Sequence, residues 1–418
     1  MPYASAMQWE DTVGKTIAII AALDTKGTEA AFIRDVIARR GHLPLTIDTG
    51  VLGEPAYPAE LGRDDVARAG GDDIAALRSS GDKARAMAVM TRGAAVVAAQ
   101  LHREGRIDGI IGLGGTAGTT IGTSAMRALP VGFPKIIVST VAAGDTRPYV
   151  GTKDVTMMYS VVDVAGLNRI STPILMNAAG AIVGMVETEM PPRAERPLIA
   201  ASMFGNTTTC VERARATMER SGYEVLVFHA TGAGGQTMES LIADGFIAGV
   251  YDVTTTEWAD ELTGGVFAAG PHRLEAAARA GIPQVVAPGC LDMANFGAPE
   301  TVPEKYRGRI LYEWNPSVTL MRTNVEENAA LGHILAEKVN LSTAPVTLFL
   351  PLKGVSQLDS PGGEFWWPEA DTALYEAIRA HLRPDIPVVE LDYNINDPQF
   401  ADATAAQLLA CVGARAKA

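Results

Sequence analysis

The sequence predicts an α/β fold of doubly wound parallel sheets, and three observations carry that reading. Continuous apolar runs of four to eight residues alternate with helical patterns along the chain. Such runs are what strands covered on both faces of a parallel sheet look like. The strand–helix rhythm recurs as an ungapped internal repeat. Glycine is in excess, 42 of 418 residues, about 10% against an average near 7%, and the excess gathers where strands end.

The elements follow in order. Thr16–Leu23 (TIAIIAAL) reads as a strand, polar DTKGTE as a turn, and the next residues as a helix to Arg40, stopped by Gly41. Further strands are expected at Leu43–Ile47, Gly109–Leu113, Lys135–Ser139, Leu198–Met203, Glu224–His229, Ile247–Val253, Gln284–Ala287, Arg309–Glu313, Val346–Leu350 and Val388–Leu391. Helical spacing of apolar residues places helices at 82–103, 117–128, 154–165, 172–187, 208–221, 236–244, 271–280, 325–338, 369–382 and 398–412. Met157, Met158, Tyr159, Met176 and Met185 read as core filling.

Residues 17–50 align with 198–231 at a constant offset of 181, which puts Asp24 on Gly205, Gly41 on Gly222 and Asp48 on His229. DGIIGLGGT at 108 aligns with AGVYDVTTT at 248, and GFPKIIVST at 132 with GIPQVVAPG at 281. Three blocks in one order indicate two Rossmann-like doubly wound domains from an internal duplication. The domains are expected at 1–193 and 194–418, joined by the proline-rich Pro191–Pro197. The first carries an insertion at about 53–92, read as a lid or dimer element.

Net charge is −13, which argues against a nucleic-acid or anionic-membrane surface. Cys210, Cys290 and Cys411 have no paired spacing, so neither a disulfide framework nor a zinc site is expected, and a reducing cytoplasm fits. Met1–Asp11 lacks the apolar core of a signal peptide. The longest uncharged apolar stretch, Ile170–Val186, is interrupted by Ser171, Thr172, Pro173 and Asn177 and falls short of the roughly 20 residues that span a bilayer. It reads as a buried helix starting at Ser171.

Ligands of open parallel sheets sit at the carboxyl ends of strands, so the candidate residues are those that follow each strand. Gly112–Thr120 (GLGGTAGTT) joins a strand to a helix. Its glycines let backbone N–H groups converge, and the helix start adds partial positive charge, which together make a phosphate cradle. Gly112, Gly114, Gly115, Thr116, Gly118 and Thr119 are its candidates, and an ordinary βα turn is the plainer alternative. The loop also fits G-x-G-x-x-A, but the following strand ends in Ser139-Thr140 where a dinucleotide site wants an acid. Gly14-Lys15-Thr16 precedes its strand and is no phosphate loop.

Asp24, Thr25, Lys26 and Gly27 combine a carboxylate, a cation and small donors. Lys26 suits a phosphate and Asp24 a magnesium ion, with helix capping as the alternative. Asp145 beside Arg147 is a second metal candidate or a surface ion pair. In the second copy, His229 and Glu257 are candidates for proton transfer, with a structural histidine and a helix-dipole carboxylate as the alternatives. Cys290 reads as a buried small residue.

The motifs DTKGTE, GLGGTAGTT, LPVGFPKIIVSTVAAGDTRPYVGTKD, MMYSVVDVAGLN, MFGNTTTCV, VFHATGAGGQTME, DVTTTEWADELTGGV, PQVVAPGCLDMANFG and NPSVTLMRTN, in that order, resemble the Tm-one-like ATP-binding family over about Lys15 to Ala405. The resemblance implies two Rossmann-like domains, ATP binding with Mg²⁺ and dimers. Carried onto this sequence, the nucleotide would fall among Asp24–Gly27, Gly112–Thr120 and Ser139–Asp145, adding Ser139, Thr140 and Gly144 to the candidates. Trp314 and Asn394 stand where the family leads one to expect histidines.

The expected function is therefore an ATP·Mg²⁺-binding metabolic enzyme. It would act on a small acidic substrate in an interdomain cleft, by phosphoryl transfer or ATP-dependent activation. Asn206, Thr207, Gly234, Asp292 and Asn295 would hold the substrate, with Arg322 as a carboxylate clamp. A non-catalytic ATP-binding regulator and an NAD-dependent dehydrogenase are the alternatives. A small-molecule substrate and a second copy of the chain are the expected partners, with no nucleic acid and no membrane.

Overall fold

A computed structural model describes residues 14–189 and 195–415. The stretch Met1–Asp11 and residues 191–194 of the expected linker lie outside them. The chain divides into two compact units, at Pro192.

In the N-terminal unit, β1 (Thr16–Ala21), α1 (Leu23–Arg39) and β2 (Leu43–Asp48) lead to three helices, α2 (Arg63–Ala69), α3 (Ile74–Ser80) and α4 (Lys83–Arg103). Then come β3 (Gly109–Gly114), α5 (Thr116–Arg127), β4 (Lys135–Ser139), the single turn α6 (Arg147–Val150), β5 (Thr156–Tyr159) and α7 (Ser171–Glu187). The parallel sheet has the order β2-β1-β3-β4-β5. Ile17, Ile19, Ile111 and Val138 face α1 and α7, while Ala18, Ile20, Ile110 and Ile137 face α4 and α5. Alternate residues of each strand thus feed opposite cores, which is why these strands are apolar throughout.

The C-terminal unit runs β6 (Leu198–Met203), α8 (Thr208–Arg220), β7 (Glu224–His229), α9 (Ala233–Ala243), β8 (Ile247–Thr254), α10 (Glu257–Thr263), α11 (Ala276–Ala280) and β9 (Gln284–Gly289). An antiparallel sheet follows, from β10 (Met293–Phe296), β11 (Leu311–Asn315) and β12 (Val318–Arg322). The unit closes with α12 (Val325–Asn340), β13 (Val346–Pro351), α13 (Pro368–His381), β14 (Val388–Leu391) and α14 (Pro398–Arg415). Its parallel sheet is ordered β14-β13-β9-β8-β6-β7. The segment β7-β6-β8-β9 repeats the order β2-β1-β3-β4, strand for strand as the sequence repeat aligns them.

The structure corrects three expectations. Residues 154–165 are not a helix: Thr156–Tyr159 pairs in parallel with Ile136–Ser139 as the edge strand β5. Its helical spacing was a coincidence of two faces, since Met157 and Met158 pack on opposite cores. Tyr159 and Met176 are exposed rather than core filling. DTKGTE is not a turn before a helix, because α1 already begins at Leu23. Among the described residues, no helix is long and apolar enough to cross a membrane.

Candidate functional site

The strand order of the N-terminal sheet reverses between β1 and β3, which pair with Ile20 opposite Gly112. The turns leaving these two strands therefore lie side by side, one strand spacing of about 4.8 Å apart. This is the place where doubly wound sheets open a crevice.

On the β3 side, α5 starts one residue after the strand. That abrupt start depends on glycine. A Cβ on Gly114 would lie 2.9 Å from the Gly118 Cα, and one on Gly118 would lie 3.2 Å from the Leu113 carbonyl. The first bond of α5 runs from Thr119 N–H to the Gly115 carbonyl at 2.8 Å. The N–H groups of Thr116, Ala117 and Gly118 donate to no acceptor among the described residues. Thr116 is exposed at this helix end and Gly115 and Gly118 are half-buried. Three donors and the helix dipole thus meet at one open point, an anion-binding arrangement.

Several neighbours brace this turn. Thr119 is buried, and its Oγ1 lies 2.7 Å from Ser139 Oγ, which also accepts from Val141 N–H at 3.1 Å. Thr140 N–H donates to the Gly114 carbonyl at 3.3 Å. Thr119 and Ser139 therefore tie α5 to the end of β4. Gly112 packs inside the sheet against Ile137 and Ile20. Gly144 closes a turn onto Val141.

On the β1 side, Asp48 explains why α1 begins so early. Its buried Oδ1 accepts from Leu23 N–H at 2.9 Å and from Gly50 N–H at 2.8 Å. Burial pushes its carboxyl above the ordinary value. Asp24 Oδ2 accepts from Leu52 N–H at 2.9 Å and Gly53 N–H at 3.0 Å, while Asp24 Oδ1 carries no hydrogen bond among the described residues. Gly27 packs against Ala56, leaving no room for a side chain. Thr25 is exposed and leans on the Ala22 carbonyl at 3.5 Å. Lys26 sits at a kink in α1 (φ −125°, ψ 16°). Among the described residues its ammonium makes no ion pair or hydrogen bond.

The insertion has a structural task. Arg63 of α2 donates to the Gly53 carbonyl and to Glu54, and Arg78 of α3 donates to the carbonyls of Val51 (2.5 Å) and Gly53 (3.1 Å). Together with Asp24 and Asp48, these arginines clamp the strap 50–54 that follows β2. Asp145 is exposed and doubly bonded to Arg147 at 2.9 Å for each contact, which holds its carboxyl below the usual range. Among the described residues, no group of three His, Cys, Asp or Glu side chains is placed to hold a metal by itself.

In the C-terminal unit the candidate residues are mostly engaged internally. Glu257 is buried. Its Oε1 accepts from Gly232 N–H (2.8 Å) and Gly235 N–H (3.1 Å), and its Oε2 from Arg273 Nε (2.7 Å). Gly232 holds a left-handed φ of 81°, and a side chain on Gly235 would strike the Glu257 carboxylate. The glycine loop before α9 therefore encloses the chain's own carboxylate. Gly234 packs on the His229 backbone. His229 is exposed, its ring 5.7 Å from that of Phe204.

Arg322 is fully buried. Its guanidinium bonds Asp371 at 2.7 Å and the Phe365 carbonyl at 2.7 Å, with Asp359 at 3.5 Å. Glu257, expected in acid–base work, and Arg322, expected as a clamp, are thus both held in internal networks. Asn295 holds Asp260 at 2.7 Å, and burial pushes the Asp260 carboxyl up to about 7. Thr207 Oγ1 bonds Thr254 Oγ1 at 2.8 Å. Among the described residues, Asn206 Oδ1 and Asp292 Oδ1 are buried acceptors without donors. Burial and the neighbouring Asp359 push the Asp292 carboxyl well above its ordinary value.

Sequence reasoning missed Arg273, whose side chain joins Asp252, Glu239 and Glu257. The signal was weak: an arginine in a short polar turn looks solvated. Asn394 donates its amide to four carbonyls between Lys353 and Asp359. Trp314 is exposed and lies over Gly205.

Residues 15–191 match the profile of the "Uncharacterised protein family (UPF0261) N-terminal domain", and residues 196–412 that of its C-terminal domain. A UPF0261 protein of Clostridium tetani is 52% identical over 399 residues, covering 95% of this chain and 99% of that one. One from Mesorhizobium japonicum is 47% identical over 94% of this chain and 98% of its own. The tomato ToMV resistance protein Tm-1(GCR237) is 43% identical over 326 residues, 76% of this chain but 43% of the tomato protein. The chain belongs to the UPF0261 family.

Proposed function

We propose that this member of the family binds ATP with Mg²⁺ at the β1–β3 switch point of its N-terminal unit. The observation that carries the reading is the open start of α5. Three N–H groups without an acceptor among the described residues, at Thr116, Ala117 and Gly118, adjoin a turn whose Lys26 has no partner among those residues. Helix N-termini of this kind take phosphate, and a lysine supplies a mobile charge for it. Asp24 Oδ1, without a hydrogen bond among the described residues, and the Thr116 hydroxyl suit Mg²⁺, which keeps most of its waters and few protein ligands. Bound there, Mg²⁺ would offset phosphate charge.

The reading extends to a metabolic enzyme that transfers a phosphoryl group to, or activates, a small acidic substrate. In such chemistry positioning and electrostatics carry most of the catalysis. The engagement of Glu257 and Arg322 in internal networks supports a second reading, a non-catalytic ATP-binding regulator. A cytoplasmic homodimer is part of the proposal, tested by light scattering after size exclusion.

Thermal unfolding of the full chain with ATP·Mg²⁺, ADP·Mg²⁺, NAD and no ligand tests the proposal. A ligand that binds only the native state adds about 2.7 kcal/mol at a hundredfold excess over Kd. A shift with NAD and none with ATP·Mg²⁺ refutes it. Product formed from ATP and a carboxylate substrate separates the enzyme from the regulator.

A further inference from the structure

A cavity of about 220 Å³ opens at the carboxyl ends of β4 and β5, lined by Thr140, Tyr159, Ser160, Val161, Val162 and Asp163. It adjoins the α5 start, since Thr140 is bonded to the Gly114 carbonyl and its Oγ1 lies beside Gly115. Pockets for whole drug-sized ligands begin near 300 Å³, so this one takes a part of a ligand.

Its wall is unusual. Val161 has φ +64°, a region a β-branched residue rarely enters. The turn is held by Val162 N–H on the Ser160 carbonyl at 2.7 Å and by Ser160 Oγ on the Val162 carbonyl at 2.6 Å. An i to i+2 bond around a positive φ is the strained form of the γ-turn. Glycine would adopt it freely, yet a valine stands there, a residue 58% exposed. Tyr159, a residue 44% exposed, adds an aromatic ring to the same rim. Among the described residues the Asp163 carboxylate makes no ion pair or hydrogen bond. The rim therefore offers two apolar surfaces, hydroxyls and one acceptor, beside a phosphate cradle.

We infer that this cavity holds the base and ribose of the nucleotide, with Tyr159 and Val161 against the base and Asp163 accepting from ribose hydroxyls. The inference rests on the proposed ATP site and adds the part of the ligand that the cradle does not bind. Base stacking on an aromatic side chain and apolar contact are lost on truncation, for a weakening of about tenfold or more.

The test is equilibrium binding of ATP·Mg²⁺ and of tripolyphosphate·Mg²⁺ to the full chain, wild type, Tyr159→Ala and Val161→Gly. Both variants should bind ATP about tenfold more weakly and tripolyphosphate as the wild type does. Val161→Gly relieves the turn, so its ligand-free melting temperature should hold or rise, which separates lost contact from misfolding. Wild-type ATP binding with both variants unaffected overturns this inference and leaves the ATP site standing. A wild type that binds neither ligand overturns the ATP site itself, and this inference with it.

Discussion

Arg273 donates its Nε to Glu257 Oε2 at 2.7 Å, with both side chains out of solvent. The same guanidinium bonds Asp252, and the other Glu257 oxygen closes the Gly232–Gly235 loop. Breaking one side of a buried pair leaves an uncompensated charge and costs about 3–5 kcal/mol. Arg273→Met should therefore lower the urea midpoint of unfolding sharply. An unchanged midpoint would show that this network contributes little.

Stability should fall as pH rises from about 4 to 7. Asp260 and Asp371 have folded-state values raised from 3.8 to about 7, by burial foremost. In that window the unfolded chain has released protons that the folded chain retains, so the proton balance favours unfolding. Below the unfolded value both states are protonated, and above about 7 the loss is complete. Asp260→Asn should flatten the slope, because an amide does not titrate; its oxygen still accepts from Asn295 and Phe267 N–H, and its NH2 meets Asn295 Oδ1 once the Asn295 amide turns over. Urea titrations from pH 4 to 8 measure it, and a rising stability over that range contradicts the account.

The strap 50–54 should loosen when Asp24 is lost. Its carboxylate holds two backbone N–H groups, and hydrogen bonds to a charged group contribute about 1.5–3 kcal/mol. Asp24→Ala should speed amide exchange at Leu52 and Gly53 while leaving the β1 core amides slow. Uniform acceleration would instead mean global destabilisation.

Lys26→Met should weaken ATP binding with little change in melting temperature. Lys26 makes no internal ion pair among the described residues, so its charge is free for a ligand. A charge-assisted contact of about 1.5–3 kcal/mol corresponds to roughly ten- to hundredfold in Kd. Calorimetric titration reads it, and an unchanged Kd removes Lys26 from the site.

The sequence made the sheets legible because each parallel strand is apolar on both faces. Lys135–Ser139 and Leu198–Met203 matched the observed strands end for end. Of the β10-β12-β11 sheet only β11 was legible, as Arg309–Glu313; β10 and β12 escaped because they are short and carry polar residues such as Asn295 and Arg322, whose partners Asp260 and Asp371 lie 35 and 49 residues away. Distance hid the start of α1 in the same way, since its capping carboxylate, Asp48, arrives from the next strand. The tight β3–α5 turn could be read from its glycines because they act on their immediate neighbours. The engagement of Glu257 could not, because Arg273 and the Gly232–Gly235 loop reach it from separate segments.

Amide hydrogen exchange with and without ATP·Mg²⁺ tests the proposed anion site at the start of α5. The N–H groups of Thr116, Ala117 and Gly118 have no acceptor among the described residues and should exchange fast in the free protein. With ATP·Mg²⁺ they should slow markedly, while Gly232 and Gly235, already bonded to Glu257, should not change. ATP·Mg²⁺ binding that leaves Thr116–Gly118 fast would contradict the account.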